Sequence, residues 1–323
     1  MEYLKIKDEI KYHNQKYKIK REIEDVFIEE GYFYIEPSLY ENLDGLESFY
    51  KKIGKDSLVK IINGNSDVVA LRPDNTTNII KNIIPKWKQG MQLKLFYNSS
   101  IFRNVNNSNI EEIKQLGIEY LGGFDFKSDI EVIVLALNIL NKFNDKFIME
   151  ISNSKYIYGL LEDMNIDKIQ EKQLKNIIYR KNKFEMLDYI KKLNLPSKII
   201  DCLANIFEFQ GNISQVVKRA EKFYTNKIME KALEELIILG DFIKKEGYSK
   251  YICFDLSMIT ELDYYDGVIF KGYYPNSFKE IIKGGRYDSF TEYFGEKVSA
   301  IGFSVELDEI VNIINTRPAS KSQ

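Results

Sequence analysis

The sequence predicts an α+β fold: an antiparallel sheet flanked by helices and interrupted by a helical insertion. Two observations carry this. Strand-like runs occur in two blocks, separated by a long stretch of helical Lys/Glu/Leu/Ile periodicity with few strand signals. The sequential βαβα alternation of a parallel sheet is missing. The boundaries follow from the change of pattern. Residues 1–152 and 249–316 make one discontinuous core, 153–248 the helical insertion, and 317–323 a disordered tail.

Each element has its own signal. Residues 4–30 carry Ile19, Ile23, Val26 and Phe27 at helical spacing and stop at Gly31. "YFYIEP" predicts a short strand. Residues 58–62 and 67–71 predict a hairpin around the turn "NGNS". "LRPDNTTNIIKNII" passes from strand to helix, with Asp74 or Asn75 placed to cap it. Residues 92–103 and 112–121 predict two long strands joined by "NVNNSNIEE". Ser128 and Glu131 have capping-box spacing ahead of a helix through Phe143, and "KFIMEIS" predicts a strand. After the insertion, strands return at "YICFDLSM", "YYDGVIFKGYY", "FKEIIKG" and "AIGFSV", followed by a last helix over 306–315.

Composition excludes several classes of function. Lys plus Arg total 46 against 48 Asp plus Glu, so there is no electrostatic case for binding nucleic acid or an anionic membrane. Cys202 and Cys253 stand far apart without metal-ligand spacing, which points to a reduced, cytoplasmic protein without disulfides. His13 is the only histidine and falls in a polar stretch. That argues against a Ser-His-Asp triad and most zinc sites; no metal and no cofactor are expected. The start "MEYLKIKDEI" has no apolar core of a signal peptide. The longest apolar stretch, residues 130–140, is too short to span a bilayer.

No phosphate-binding glycine loop follows a strand. "GGRYD" at 284–288 offers two readings, a strand-to-helix connection or a close backbone approach that a Cβ would block. In "LDYYDGVIF", paired tyrosines and acids in an apolar strand read as a built pocket.

In order, "LRPDNTT" (71–77), "FYNSSIFRN" (96–104), "IKQLGIEYLGG" (113–123), "LDYYDGVIF" (262–270), "GGRYD" (284–288) and "AIGFSVELDEI" (300–310) resemble the core of histidyl-tRNA synthetase-like class II proteins. The resemblance covers nearly the whole chain. It implies a class II aminoacyl-tRNA synthetase-like antiparallel sheet of six or seven strands. It also implies dimerisation through "GYFYIEPSLYE" (31–41), although the family's motif-1 proline falls on Ser38, with Pro37 before it.

The departures from that pattern are directional. The chain ends soon after the third motif, so no anticodon-binding domain is expected. The family arginine before "LDYY" falls on Thr260, with Glu261 in place of a glycine. The motif-3 arginine falls on Glu309, and an acid that contacts adenine falls on Val105. Of the phosphate-binding set Arg103 alone is kept. Exchanging Arg for Glu beside a triphosphate turns attraction into repulsion on the order of several kcal/mol in a partly desolvated site, which argues against ATP activation.

The amino-acid pocket is kept. By resemblance, the residues that hold free histidine are Asp74, Thr76, Gln115, Glu119, Tyr264, Tyr265 and Tyr287, with Arg103 the best partner for the ligand carboxylate. Asp74, Thr76 and Gln115 can accept bonds from an α-ammonium. Glu119 and a tyrosine hydroxyl can bond the imidazole nitrogens, and the rings can wall it in. The alternative is inherited packing without binding.

A kept pocket with a broken ATP site resembles the regulatory-subunit family of short-form ATP phosphoribosyltransferase in histidine biosynthesis. That resemblance implies no catalysis by this chain. It implies a catalytic-subunit partner that this chain activates, L-histidine as a feedback effector, and a homodimer within a hetero-oligomer. Two rivals stay open: a truncated synthetase-like enzyme that adenylates an amino acid, and a pure scaffold that binds no small molecule.

Overall fold

The computed structural model describes residues 5–42, 58–105, 109–123, 125–260, 264–275, 277 and 279–316. Glu261 and the tail 317–323, both singled out above, lie outside the described residues.

A 24-residue helix, α1 (Ile6–Glu29), buries Ile19, Ile23 and Phe27 and ends before Gly31, whose φ of 83° suits glycine. Strands β1 (Phe33–Tyr34) and β2 (Tyr40–Asn42) follow, then the predicted hairpin of β3 (Lys60–Ile62) and β4 (Val68–Leu71). In its turn, Asn63 Oδ1 accepts from the backbone N–H of Asn65 and Asp67, both at 2.9 Å. Helix α2 (Asn75–Ile83) is capped by Asp74, which accepts from the Thr77 N–H at 2.7 Å. The long hairpin of β5 (Leu93–Val105) and β6 (Asn109–Leu121) leads to α3 (Asp125–Phe143) and β7 (Ile148–Asn153).

The start of α3 differs from expectation. The helix is already formed at Asp125, so Ser128 lies inside it rather than at its cap. Its hydroxyl instead accepts from Arg286, 158 residues away, at 2.8 Å.

The insertion comprises α4 (Ser154–Glu162), α5 (Lys168–Tyr179), α6 (Lys183–Ile190), α7 (Ser197–Asn205), α8 (Ile213–Ala220) and α9 (Lys227–Lys245), with a short strand β8 (Gln210–Gly211). Then come β9 (Ile252–Asp255), β10 (Val268–Tyr273), β11 (Ile282–Arg286), α10 (Asp288–Thr291), β12 (Ala300–Glu306) and α11 (Leu307–Thr316).

Among the described residues the main sheet runs β1-β5-β6-β12-β11-β10-β7-β9-β8, with β2-β4-β3 as a separate small sheet. The central run from β5 to β7 is antiparallel throughout. Two parallel pairings, β1 with β5 and β7 with β9, make the whole sheet mixed. The two strand blocks therefore join in one sheet, with β10 seated between β7 and β11.

Alternation decides what each face carries. Phe96, Ile118, Phe270 and Phe303 face the main core, built with α1, α3, α11 and the insertion helices. On the opposite face Leu95, Tyr97 and Leu121 pack with Ile79 and Ile80 of α2 and with Phe290. The candidate site opens on that second face.

Candidate functional site

Two glycines hollow the sheet there. A Cβ on Gly302 would stand 2.2 Å from Glu119 Oε2, and one on Gly117 would stand 2.3 Å from the Tyr97 hydroxyl. These side chains can lie flat on the sheet only because nothing projects beneath them. Of the glycines of "GGRYD", Gly285 behaves the same way, whereas a Cβ on Gly284 would meet Phe270 and Phe303 of the main core. Gly284 and Gly285 sit inside β11, not in a strand-to-helix connection, and Gly285 lies under Tyr265.

The resulting cavity takes in about 890 Å³ when the open space at its mouth is counted. It brings together Asp74, Thr76, Arg103, Gln115, Glu119, Tyr264, Tyr265 and Tyr287, the eight residues singled out in the sequence. They come from the α2 cap, β5, β6, the approach to β10 and the end of β11.

Glu119 is the centre of the polar network and is 1% exposed. Thr76 Oγ1 donates to its Oε1 at 2.6 Å, and the Tyr287 hydroxyl donates to Oε2. Burial pushes its carboxyl up to about 8, although both hydrogen bonds favour the ionised form and work against the shift. Having donated its proton, Thr76 keeps its lone pairs as acceptors. Asp74 spends Oδ2 on the Thr77 N–H and hydroxyl. Gln115 accepts from Asn75 Nδ2 at 3.3 Å and donates to Glu306 at 2.8 Å, which fixes its amide.

The aromatic wall is a connected cluster. Tyr264 stacks on Phe290 with centroids 4.8 Å apart and planes at 17°, and meets Tyr265 at 4.7 Å and Tyr287 edge-on at 5.9 Å. Burial raises the phenol pKa values of Tyr97, Tyr264, Tyr265 and Tyr287, so all four act as neutral hydroxyls. Arg286 holds Tyr287 and its strand end in place. Its guanidinium bonds Asp129 at 2.9 Å, Asp288 at 2.9 Å and Ser299 at 2.7 Å.

Three positions read as losses of an ATP site fall differently. Thr260 lines the cavity wall. Val105 is 37% exposed at the end of β5, and Glu309 lies in the first turn of α11, both away from the cavity lining. Glu309 faces a neighbouring cleft with Glu111, Glu112, Glu306 and Asp308, against which stand Lys279 and Lys283. That sign of charge repels a triphosphate.

The sequence reading missed Tyr97, Lys271, Glu280, Lys283 and Ser304 as cavity residues. The available signal was a lysine inside each of two apolar strands, "VIFKGY" and "EIIKGG". Among the described residues no His/Cys/Asp/Glu group could hold a metal ion.

Comparison with known proteins places this geometry. A family model described as histidyl-tRNA synthetase matches residues 11–310. The ATP phosphoribosyltransferase regulatory subunit of Clostridium novyi is 32% identical over 306 residues, covering 93% of this chain and 72% of that protein. Among solved structures, an ATP phosphoribosyltransferase regulatory subunit/histidyl-tRNA synthetase from Bacillus halodurans has a TM-score of 0.85 at 27% identity, covering 94% of this chain and 80% of that one. An ATP phosphoribosyl transferase complex from Thermotoga maritima shares the fold, with a TM-score of 0.67 at 18% identity over 90% of this chain and 97% of that one. The chain belongs to the histidyl-tRNA synthetase family and, within it, to the ATP phosphoribosyltransferase regulatory subunits.

Proposed function

We propose that this chain is the non-catalytic regulatory subunit of a short-form ATP phosphoribosyltransferase. It activates a separate catalytic chain at the first step of L-histidine biosynthesis and relays feedback inhibition by L-histidine bound in the central cavity. The observation that carries the reading is the asymmetry of the site. Four tyrosines, Glu119 and the acceptors Asp74, Thr76 and Gln115 converge on one cavity, while the neighbouring cleft is lined mainly by acids, which repel a triphosphate. The imidazole lies against Tyr264 and Tyr265 with Glu119 and Tyr287 at its nitrogens, and Asp74, Thr76 and Gln115 accept from the ammonium. Residues 1–152 and 249–316 serve as the core that holds this site, and 153–248 as an insertion upon it. The protein acts in the cytoplasm as a homodimer within the larger assembly; among the described residues no helix is long and apolar enough to cross a membrane.

Regulation then follows from linkage: histidine binds one arrangement of the complex more tightly and shifts its population. Coupling of roughly 1–3 kcal/mol shifts activity about 5- to 150-fold. The test is the rate of the catalytic chain with and without this one, at increasing L-histidine. Activation that histidine reverses supports the reading. Activation indifferent to histidine leaves a scaffold, and histidine-dependent ATP–pyrophosphate exchange by this chain alone makes it an adenylating enzyme.

A further inference from the structure

Lys271 of β10 and Lys283 of β11 are register partners, and both line the cavity. Like charges directly opposite on antiparallel neighbours repel, so the pair persists only with compensation. Glu280 bonds Lys271 at 2.9 Å, and Glu306 pairs with Lys283 at 3.4 Å. Glu306 is shared, because it also accepts from Gln115. The row thus sets two cations among three acids: Glu280, Glu306 and Glu150, the β7 register partner of Lys271.

Their place in the sheet matches a dipolar ligand. Glu119, Gly302, Gly285 and Ile269 form one row across the cavity face, and Gly117, Ser304, Lys283 and Lys271 form the next. Adjacent rows on one face lie about 7 Å apart along the strands. Gln115 begins the row beyond. Arg103 lines the same cavity from farther along β5, eight residues from Leu95, the register partner of Glu119. A ring held at Glu119 has the lysine row next to it along the strands, within reach of its α-amino-acid group.

We propose that Lys271 and Lys283 form an anion subsite that takes the carboxylate of the amino acid held in the cavity, in place of the cation absent at Thr260. The inference rests on the reading of this cavity as a histidine site. Carboxylate entry exchanges partners, with the ligand displacing Glu280 and Glu306 from the two ammonium groups.

The test is calorimetric titration of the full chain, alone and with its catalytic subunit, using L-histidine and histamine. Histamine keeps the ring and the amine and lacks the carboxylate. The wild type is expected to prefer L-histidine. Substituting Lys271→Gln and Lys283→Gln together should lower that preference on the order of 10- to 100-fold, the size of lost charge-assisted hydrogen bonds. Histamine affinity should hold, and Lys271→Arg with Lys283→Arg should restore most of the preference. Either single Gln substitution gives the same readout in smaller measure if the double variant does not fold. An unchanged preference, or a parallel loss for both ligands at unchanged thermal stability, overturns the subsite alone. A wild-type protein that ignores L-histidine in both states overturns the histidine reading as well.

Discussion

Glu119 concentrates the chemistry of the site in one carboxyl group. Burial lifts it to about 8, so the folded chain holds it largely protonated at neutral pH. A folded pKa raised above the unfolded value means that folding takes up a proton. The stabilisation is full below about 4.5 and is lost as pH rises through about 8. The slope approaches roughly 1.4 kcal/mol per pH unit within that window. Glu119→Gln should therefore flatten the pH dependence of the thermal midpoint between pH 5 and 9, measured by calorimetry; an undiminished slope would place the titrating group elsewhere. Tyr264→Ala and Glu119→Ala should each abolish histidine inhibition while leaving assembly with the catalytic chain intact, read by kinetics and by co-elution. The residues of this site were legible because they fall in ordered, distinctive segments. Lys271 and Lys283 were not, because their meeting depends on a register between strands that no local pattern encodes.

At the scale of elements, the site is held by a cap, a pair of glycines and a buried cation. Asp74 was legible as a cap because the signal is local: an acid followed by a helical run. Asp74→Ala should cost about 1 kcal/mol in urea unfolding, through the lost bond to the Thr77 N–H. Arg286 was illegible for the opposite reason. Its partners Ser128 and Asp129 lie more than 150 positions away, inside α3. Arg286→Ala leaves Asp129 buried and unpaired and should destabilise the fold by roughly 3–5 kcal/mol, again by urea titration. Gly302→Ala should act through the site. Its Cβ would meet Glu119 Oε2 at 2.2 Å and the Ile118 carbonyl at 2.3 Å, so histidine response should fall together with stability, by about 1–3 kcal/mol.

Across the whole molecule, two strand blocks separated by a helical segment close into one sheet, and the cavity opens on the face away from α1 and α3. The discontinuity was visible in the sequence as a change of period. The strand order and the parallel edge pairings were not, since they arise from packing across long separations. The helical segment is tied back to the sheet. Lys181, at the left-handed φ of 51° between α5 and α6, pairs at 2.6 Å with Asp255, which is 1% exposed. The central claim is that this cavity senses histidine without doing chemistry on it. Titration of L-histidine into the complete chain and into its complex with the catalytic subunit tests that most directly. The account predicts saturable binding in at least one of the two states that Glu119→Ala removes; no heat in either, or binding untouched by Glu119→Ala, would contradict it.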